Sequence, residues 1–207
     1  MTPRFLIRLN AVDLLTLSAV ITAGGALLLA SSAPWLATAL LFIAMLGDAL
    51  DGILARRWQM TREFGRYLDG FMDMLIYLIA PTLIWYYTLL PGIVVLAAAI
   101  MLASGCVRLA VFNISGNIEA DGGKLAYQGM PVFWSVFILA GSLLLSLALP
   151  GTVLTPLLII VLLLFSYAMQ LRRPFFKFRA LWQILALTLG GAVLFLLLHV
   201  GQVNGHG

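Results

Sequence analysis

Charged side chains are scarce in this sequence. They make up 10% of its 207 residues, whereas hydrophobic side chains make up 63%. A soluble domain carries roughly 25% charged residues, because its surface must face water. The composition therefore excludes an ordinary soluble protein and indicates a chain whose solvent is lipid.

Cysteine and histidine are almost missing as well. Cys106 is the only cysteine, so no intramolecular disulfide can form, and the redox compartment stays open. We assign Cys106 a packing role. The two histidines, His199 and His206, lie near the C-terminal end and far in sequence from every other polar cluster. We expect neither to bind a metal.

Long apolar runs take up most of the chain, and a run of about 20 residues is long enough to cross a membrane as a helix. The sequence predicts an all-α, polytopic helical bundle of six core transmembrane helices plus a seventh, in a single domain over residues 1–207. Arg4 and Arg8 before the first run, with "ASSA" at 30–33 after it, imitate a signal peptide, but we expect a retained first helix. The predicted spans are 13–31, 34–55, 66–88, 91–112, 131–149, 152–170 and 181–200.

The charges follow a pattern along these spans. All twelve lysines and arginines fall on alternate loops or the span ends beside them, and the remaining loops carry no charge. The positive-inside rule then predicts cytoplasmic basic loops, an N-terminus inside and a C-terminus outside. The eight acidic residues lie on the same side as the basic ones. Basic side chains near the membrane can snorkel to its surface, but short aspartates within apolar runs need another explanation.

Four aspartates lie where the second and third spans approach their link: Asp48, Asp51, Asp69 and Asp73. The first pair is three residues apart and the second pair four, so each pair shares one helix face. The link at 57–62 is short, which makes the two helices antiparallel neighbours and brings both pairs to one place. Four carboxylates together repel one another. A hard divalent cation removes that repulsion, and carboxylate ligands favour Mg²⁺ or Mn²⁺ over zinc.

Small residues and an arginine accompany the aspartates. Gly52, Gly65 and Ala55 leave room for a ligand to approach the helices, and Arg56 can pair with a phosphate. Together with a metal, they suggest a substrate that contains a diphosphate. The alternatives are a structural ion site and a cation pathway through the bundle. A pathway should scatter polar residues across the membrane, yet the last three spans have almost none.

These residues form the pattern D-x2-D-G-x2-A-R-x8-G-x3-D-x3-D. It resembles the signature of the CDP-alcohol phosphotransferase (phosphatidyltransferase) family, with no position missing. The resemblance implies transfer from a CDP-linked lipid to a small alcohol, with release of CMP. It implies that Asp48, Asp51 and Asp69 hold Mg²⁺ or Mn²⁺, that Asp73 joins a second metal and acts as general base, and that the remaining motif residues line the CDP site. Those residues are Gly52, Ala55, Arg56 and Gly65.

Further stretches are most similar to membrane-type phosphatidylserine synthases: "LDGFMDMLIYLIAPT", "GCVRLAVFNI" and "YQGMP". The resemblance makes L-serine the first choice of acceptor and Arg108 and Asn113 the candidate acceptor-binding residues. An arginine at this place could hold a serine carboxylate, or could equally snorkel to the membrane surface. Choline, glycerol 3-phosphate and inositol phosphate remain alternative acceptors, since Gly70 replaces the serine common in that subgroup and "GMPVFW" is similar to phosphatidylcholine synthases.

At the start of the first span, "VDLLT" carries Asp13 and Thr16, and capping of the first helix is a sufficient role for Asp13.

The resemblance predicts an integral protein of a bacterial or archaeal plasma membrane, with its active site at the cytoplasmic face. Its expected partners are the two substrates and membrane lipid. No nucleic-acid partner is expected. The sequence does not decide the oligomeric state, and a homodimer is one option. The alternatives to an enzyme are a cation transporter and a membrane scaffold.

Overall fold

The computed structural model describes residues 7–90, 92–116, 118–120, 124–175 and 180–205. Six of the helices in these ranges are long and apolar enough to cross a membrane, judged by length and composition, and the helix Trp134–Leu145 is shorter. A π-helical stretch, Met74–Ile79, lies inside the helix Glu63–Thr88. The helices are α1 Ala11–Leu29, α2 Pro34–Arg57, α3 Glu63–Thr88, α4 Leu96–Ser115, α5 Trp134–Leu145, α6 Gly151–Gln170 and α7 Leu181–Gly205.

The predicted bundle is confirmed, and the difference lies in its fifth helix. The sequence predicted a full span at 131–149, but α5 has only 12 residues and turns follow it. At 1.5 Å per residue α5 is about 18 Å long, against a hydrocarbon core of about 30 Å. Pro131 and Pro150 bracket the segment, and the residue before a proline disfavours the helical conformation. The seventh helix, by contrast, is full length, with 25 residues.

Small side chains bring the first two helices together. Ala19, Ala23 and Ala26 are buried on one face of α1, which packs along α2. Alanines at this spacing let two helix backbones approach closely, which is how helices associate in lipid. On another side of α2, the α7 ring of Phe195 stacks on Trp35 with centroids 5.6 Å apart. The second helix, which carries Asp48 and Asp51, is therefore held on two sides.

Three short strands were not predicted. They are β1 Ile118–Ala120, β2 Lys124–Gln128 and β3 Pro174–Phe175, antiparallel in that order. The sheet joins the α4–α5 link to the α6–α7 link, with Tyr127 opposite Phe175. Gly129 ends this contact with φ +74°, and a Cβ there would lie 2.5 Å from the carbonyl oxygen of Met169. Only glycine fits that position.

One end of the bundle, which we call the charged end, holds this sheet and the α2–α3 link. Arg62 in the link pairs with Asp13 at the start of α1. Arg66 at the start of α3 donates to the carbonyl oxygen of Asn113 at the end of α4, at 3.5 Å. The basic links therefore share one end, as the alternation of charged loops predicted. That this end is cytoplasmic stays a prediction.

The topology can be measured by cysteine labelling in a Cys106→Ala background. Because α7 starts at the charged end and runs the length of the bundle, Asn204→Cys should react with a membrane-impermeant maleimide in intact cells. Arg57→Cys, at the exposed C-terminal end of α2, should react only after permeabilisation. The reverse pattern would place the charged end outside, and labelling of both from one side would mean that one helix does not cross.

Candidate active site

The structure brings all four predicted aspartates together at the facing surfaces of α2 and α3. Carboxylate oxygens of Asp48, Asp51 and Asp69 all lie within 4.8 Å of one another. The carboxyl of Asp73 lies next to that of Asp48. The two helices run antiparallel from a short link, so the i, i+3 and i, i+4 pairs meet as the spacing predicted. We call these four residues the acidic cluster.

Two carboxylates of the acidic cluster accept hydrogen bonds from hydroxyl groups, one on α1 and one further along α3. Thr16 of α1 donates to Oδ2 of Asp51, which is 2% exposed. The phenol of Tyr77 donates to Oδ2 of Asp48 at 2.6 Å. Among the arginine and lysine side chains that the structure describes, none forms an ion pair with the acidic cluster. The cluster therefore has neutral supports and an excess of negative charge.

This donor set fits a hard divalent cation. Carboxylate oxygens, without thiolate or imidazole, are the ligands that Mg²⁺ and Mn²⁺ prefer. The oxygens of three of the aspartates are close enough to reach one ion together, because they lie within 4.8 Å of one another. The residues that could hold such an ion together are Asp48, Asp51 and Asp69, the three to which the family resemblance assigned the metal, with Asp73 adjacent.

A cavity of about 430 Å³ lies beside the cluster, between α1, α2, the α2–α3 link and α3. Its volume is in the range of small-molecule sites. Asp51 and Asp69 are part of its wall, so the cavity reaches the acidic cluster. The four residues predicted for the CDP site all line it: Gly52, Ala55, Arg56 and Gly65.

The wall of the cavity near the link depends on Asp13. This residue and Asn10 form a capping box at the start of α1, with Asp13 Oδ2 accepting from the Asn10 N–H at 2.7 Å. The predicted capping role is thus present. The same carboxylate pairs with Arg62, whose Nη1 also donates to the Arg8 carbonyl at 3.0 Å. This pairing, which was not predicted from the sequence, ties the link to α1.

The two candidate acceptor residues lie at different depths on α4. Arg108 is 6% exposed, its Nε has no hydrogen-bond partner, and its guanidinium lies 5.3 Å from the ring centre of Phe112. It is close enough to Asp73 and Tyr127 to interact electrostatically with both. A buried guanidinium without a carboxylate partner is costly unless a ligand supplies the anion.

Asn113 lies nearer the charged end and packs against α3. A Cβ added to Gly70 would be 2.6 Å from Nδ2 of Asn113, so the glycine makes this close approach possible. Arg108 and Asn113 are five residues apart on α4, and the glycine that Asn113 approaches, Gly70, lies three residues before Asp73 on α3.

Tyr127 of β2 adds a further polar group near Arg108. Burial, together with the nearby charges of Asp73 and Asp48, raises the pKa of its phenol to about 12. The phenol therefore keeps its proton at neutral pH and can donate a hydrogen bond. Tyr127 comes to this place through the pairing of β2 with β3, which the sequence analysis did not predict.

Comparison with known proteins decides the family. The family model described as CDP-alcohol phosphatidyltransferase matches residues 9–199. The chain belongs to the CDP-alcohol phosphatidyltransferase family. The predicted resemblance is confirmed, and both the acidic cluster and the cavity lie inside the matched region. The family is divalent-metal dependent, in agreement with the donor set.

Curated relatives of this family member differ in the acceptor that their names state. A CDP-diacylglycerol–serine O-phosphatidyltransferase of Bacillus subtilis is 35% identical over 97 residues, covering 44% of this chain and 51% of the relative. One of Methanocaldococcus jannaschii is 28% identical over 102 residues, covering 49% and 47%. A CDP-diacylglycerol–glycerol-3-phosphate 3-phosphatidyltransferase of Haemophilus influenzae is 33% identical over 78 residues, covering 35% and 42%. The matches thus span about half the length of these relatives or less.

Proposed function

We propose that this protein is a phospholipid-synthesising transferase that moves a phosphatidyl group from CDP-diacylglycerol to L-serine, giving phosphatidylserine and CMP. The observation that carries the proposal is the acidic cluster at the wall of a cavity lined by Arg56 and three small residues. We place the protein in a bacterial or archaeal plasma membrane, with the charged end in the cytoplasm, because basic loops are retained on that side.

The donor's head group fits the cavity. Arg56 supplies a guanidinium that can contact phosphate oxygens in pairs. Gly52 leaves space beside it: a Cβ there would lie 3.6 Å from Nη1 of Arg56. The four residues Gly52, Ala55, Arg56 and Gly65 would line the CDP moiety, with the diphosphate towards Asp51 and Asp69.

The acidic cluster faces that diphosphate. Asp48, Asp51 and Asp69 would hold Mg²⁺ or Mn²⁺, and Asp73 would join a second ion. A bound divalent cation neutralises the diphosphate and stabilises charge on the departing CMP. The hydroxyls of Thr16 and Tyr77 keep two of the carboxylates in place.

The acceptor is held between α3 and α4. Arg108 binds the carboxylate of serine, which gives the buried guanidinium its missing partner. Asp73 accepts the proton of the serine hydroxyl as its oxygen attacks the phosphorus of the phosphatidyl group. The bond from this phosphorus to the oxygen of CMP breaks, and CMP leaves with that oxygen. Asn113, predicted as a second acceptor residue, supports this arrangement by packing α4 against Gly70.

Glycerol 3-phosphate is the second candidate acceptor. Its phosphate could pair with Arg108, and a relative of about the same similarity bears a name that includes this acceptor. Choline has no anionic group and would leave Arg108 unpaired. Membership of an enzyme family and the gathering of charge at one end both argue for an enzyme over a cation transporter or a scaffold.

The test is purified protein with CDP-diacylglycerol, Mg²⁺ or Mn²⁺ and single alcohols, with CMP release and the lipid product both measured. We expect phosphatidylserine from serine and no product from choline. If glycerol 3-phosphate alone supports CMP release, the acceptor is wrong and the transferase activity stands. Absence of CMP release with serine, glycerol 3-phosphate, inositol phosphate and choline would contradict the transferase itself.

Arg108→Ala should raise the KM for serine far more than the KM for CDP-diacylglycerol. Hydrogen bonds to a charged partner contribute about 1.5–3 kcal/mol, which corresponds to roughly a 10- to 100-fold weaker interaction. Initial rates with each substrate varied in turn measure both constants. Arg57→Ala, on the exposed surface at the end of α2, is the matched control and should change neither. Equal increases for both substrates in Arg108→Ala would make this arginine structural.

A further inference from the structure

The hydroxyl of Tyr77 contacts the acidic cluster, although Tyr77 is not one of the eight motif residues. It donates to Oδ2 of Asp48 at 2.6 Å, and the residue is 3% exposed. Its ring is surrounded by apolar side chains of the core. Phenylalanine would fill that space equally well. The hydroxyl is therefore the part of this side chain that packing does not explain.

The backbone around Tyr77 is also held in an unusual way. Tyr77 lies in the π-helical stretch Met74–Ile79, which begins directly after Asp73. In a regular α-helix the Tyr77 carbonyl would accept from residue 81, and Pro81 has no N–H. The hydroxyl of Ser135 in α5 donates to this carbonyl instead. Single π-helical turns often occur at functional sites. The main chain of Tyr77 is thus tied to α5 while its side chain contacts α2.

A carboxylate that receives one fixed hydrogen bond loses the freedom to rotate about its Cβ–Cγ bond. Groups that hold a metal ligand in this way set its orientation, and their loss weakens metal binding. We infer that Tyr77 is a positioning residue for Asp48, which orients the carboxylate towards the metal through its phenol hydroxyl. The inference rests on the proposed metal-dependent function.

The test is direct metal binding, without substrate and without turnover. Purified wild-type protein and Tyr77→Phe are titrated with Mn²⁺, and free Mn²⁺ is followed by electron paramagnetic resonance. Tyr77→Phe should bind Mn²⁺ about 10- to 100-fold more weakly, the usual cost of losing such a support. Tyr86→Phe on the same helix is the matched control, because Tyr86 is 44% exposed and outside the cluster. It should bind as the wild type does.

Two further measurements separate a positioning role from a structural one. Thermal unfolding in chelator reports folding without metal, and Tyr77→Phe should unfold close to the wild-type temperature. In an Asp48→Ala background, Tyr77→Phe should have no additional effect on Mn²⁺ affinity, because the oxygen that accepts its hydrogen bond is gone. An equal additional loss in that background would show that Tyr77 acts elsewhere and would overturn the inference.

Unchanged Mn²⁺ affinity in Tyr77→Phe also overturns it, whether or not the unfolding temperature falls. A wild type that binds Mn²⁺ but makes no phosphatidylserine would contradict the proposed acceptor and leave the inference standing. A wild type that binds no Mn²⁺ would remove the metal site and, with it, both proposals.

Discussion

Asp51→Asn is expected to abolish most of the transferase activity, and so are Asp48→Asn and Asp69→Asn. Asparagine keeps the shape of the side chain but removes the negative charge, and oxygens of these three carboxylates lie within 4.8 Å of one another. The loss should be on the order of 10²-fold or more in kcat, as for removal of one positioned charge from an active site. CMP release by each variant at saturating substrates measures it.

Chelation gives the matching experiment on the unaltered protein. Activity should disappear in excess chelator and return with Mg²⁺ or Mn²⁺. Each variant should unfold as cooperatively as the wild type, so that loss of activity is not loss of fold. Full activity in all three variants, or activity that resists the chelator, would contradict a metal site built from α2 and α3.

Asp73→Asn is expected to lower kcat by about 10²- to 10⁴-fold, the usual cost of losing a general base. The reason is its place: its carboxyl neighbours that of the proposed metal ligand Asp48, and it interacts electrostatically with Arg108 of the proposed acceptor site. Binding of CDP-diacylglycerol should change little. Rapid-mixing kinetics for CMP release and equilibrium binding of the donor separate the two effects.

A different outcome would reassign Asp73. If Asp73→Asn abolishes donor binding while metal is present, Asp73 is chiefly a ligand, and the proton must go to another group in the same pocket. The conservative change Asp73→Glu helps to distinguish the roles. A longer carboxylate can still accept a proton, so it should recover part of kcat if Asp73 is the base.

The acidic cluster could be predicted because it depends on local rules. Helical periodicity places Asp48 with Asp51 and Asp69 with Asp73, and a short link forces the two helices to be antiparallel neighbours. The spans could be predicted for a similar reason, since a membrane requires a minimum apolar length. The predicted length was wrong at α5, where the prolines limit the segment but turns end the helix at Leu145.

Other parts of the site depend on contacts between distant parts of the chain. Tyr127 reaches Arg108 because β2 pairs with β3, about 50 residues later in the sequence. The ion pair of Arg62 with Asp13 joins the α2–α3 link to α1. Neither pairing has a periodic signal. Tyr77 does have a local signal in the sequence. A tyrosine four residues before Pro81, inside an apolar span, leaves both its hydroxyl and its backbone carbonyl in need of hydrogen-bond partners.

Ser135 and Pro81 are therefore not independent of each other. Ser135→Ala alone removes a donor from a carbonyl that Pro81 already deprives of its helical N–H, and an unsatisfied backbone group in lipid costs several kcal/mol. In a chain with Pro81→Ala, residue 81 has an N–H again, and the same loss of Ser135 should cost much less. The loss of folding stability in the double variant should be smaller than the sum of the losses in the two single variants. For anyone redesigning this bundle, the proline of α3 and the serine of α5 have to be kept or exchanged as a pair.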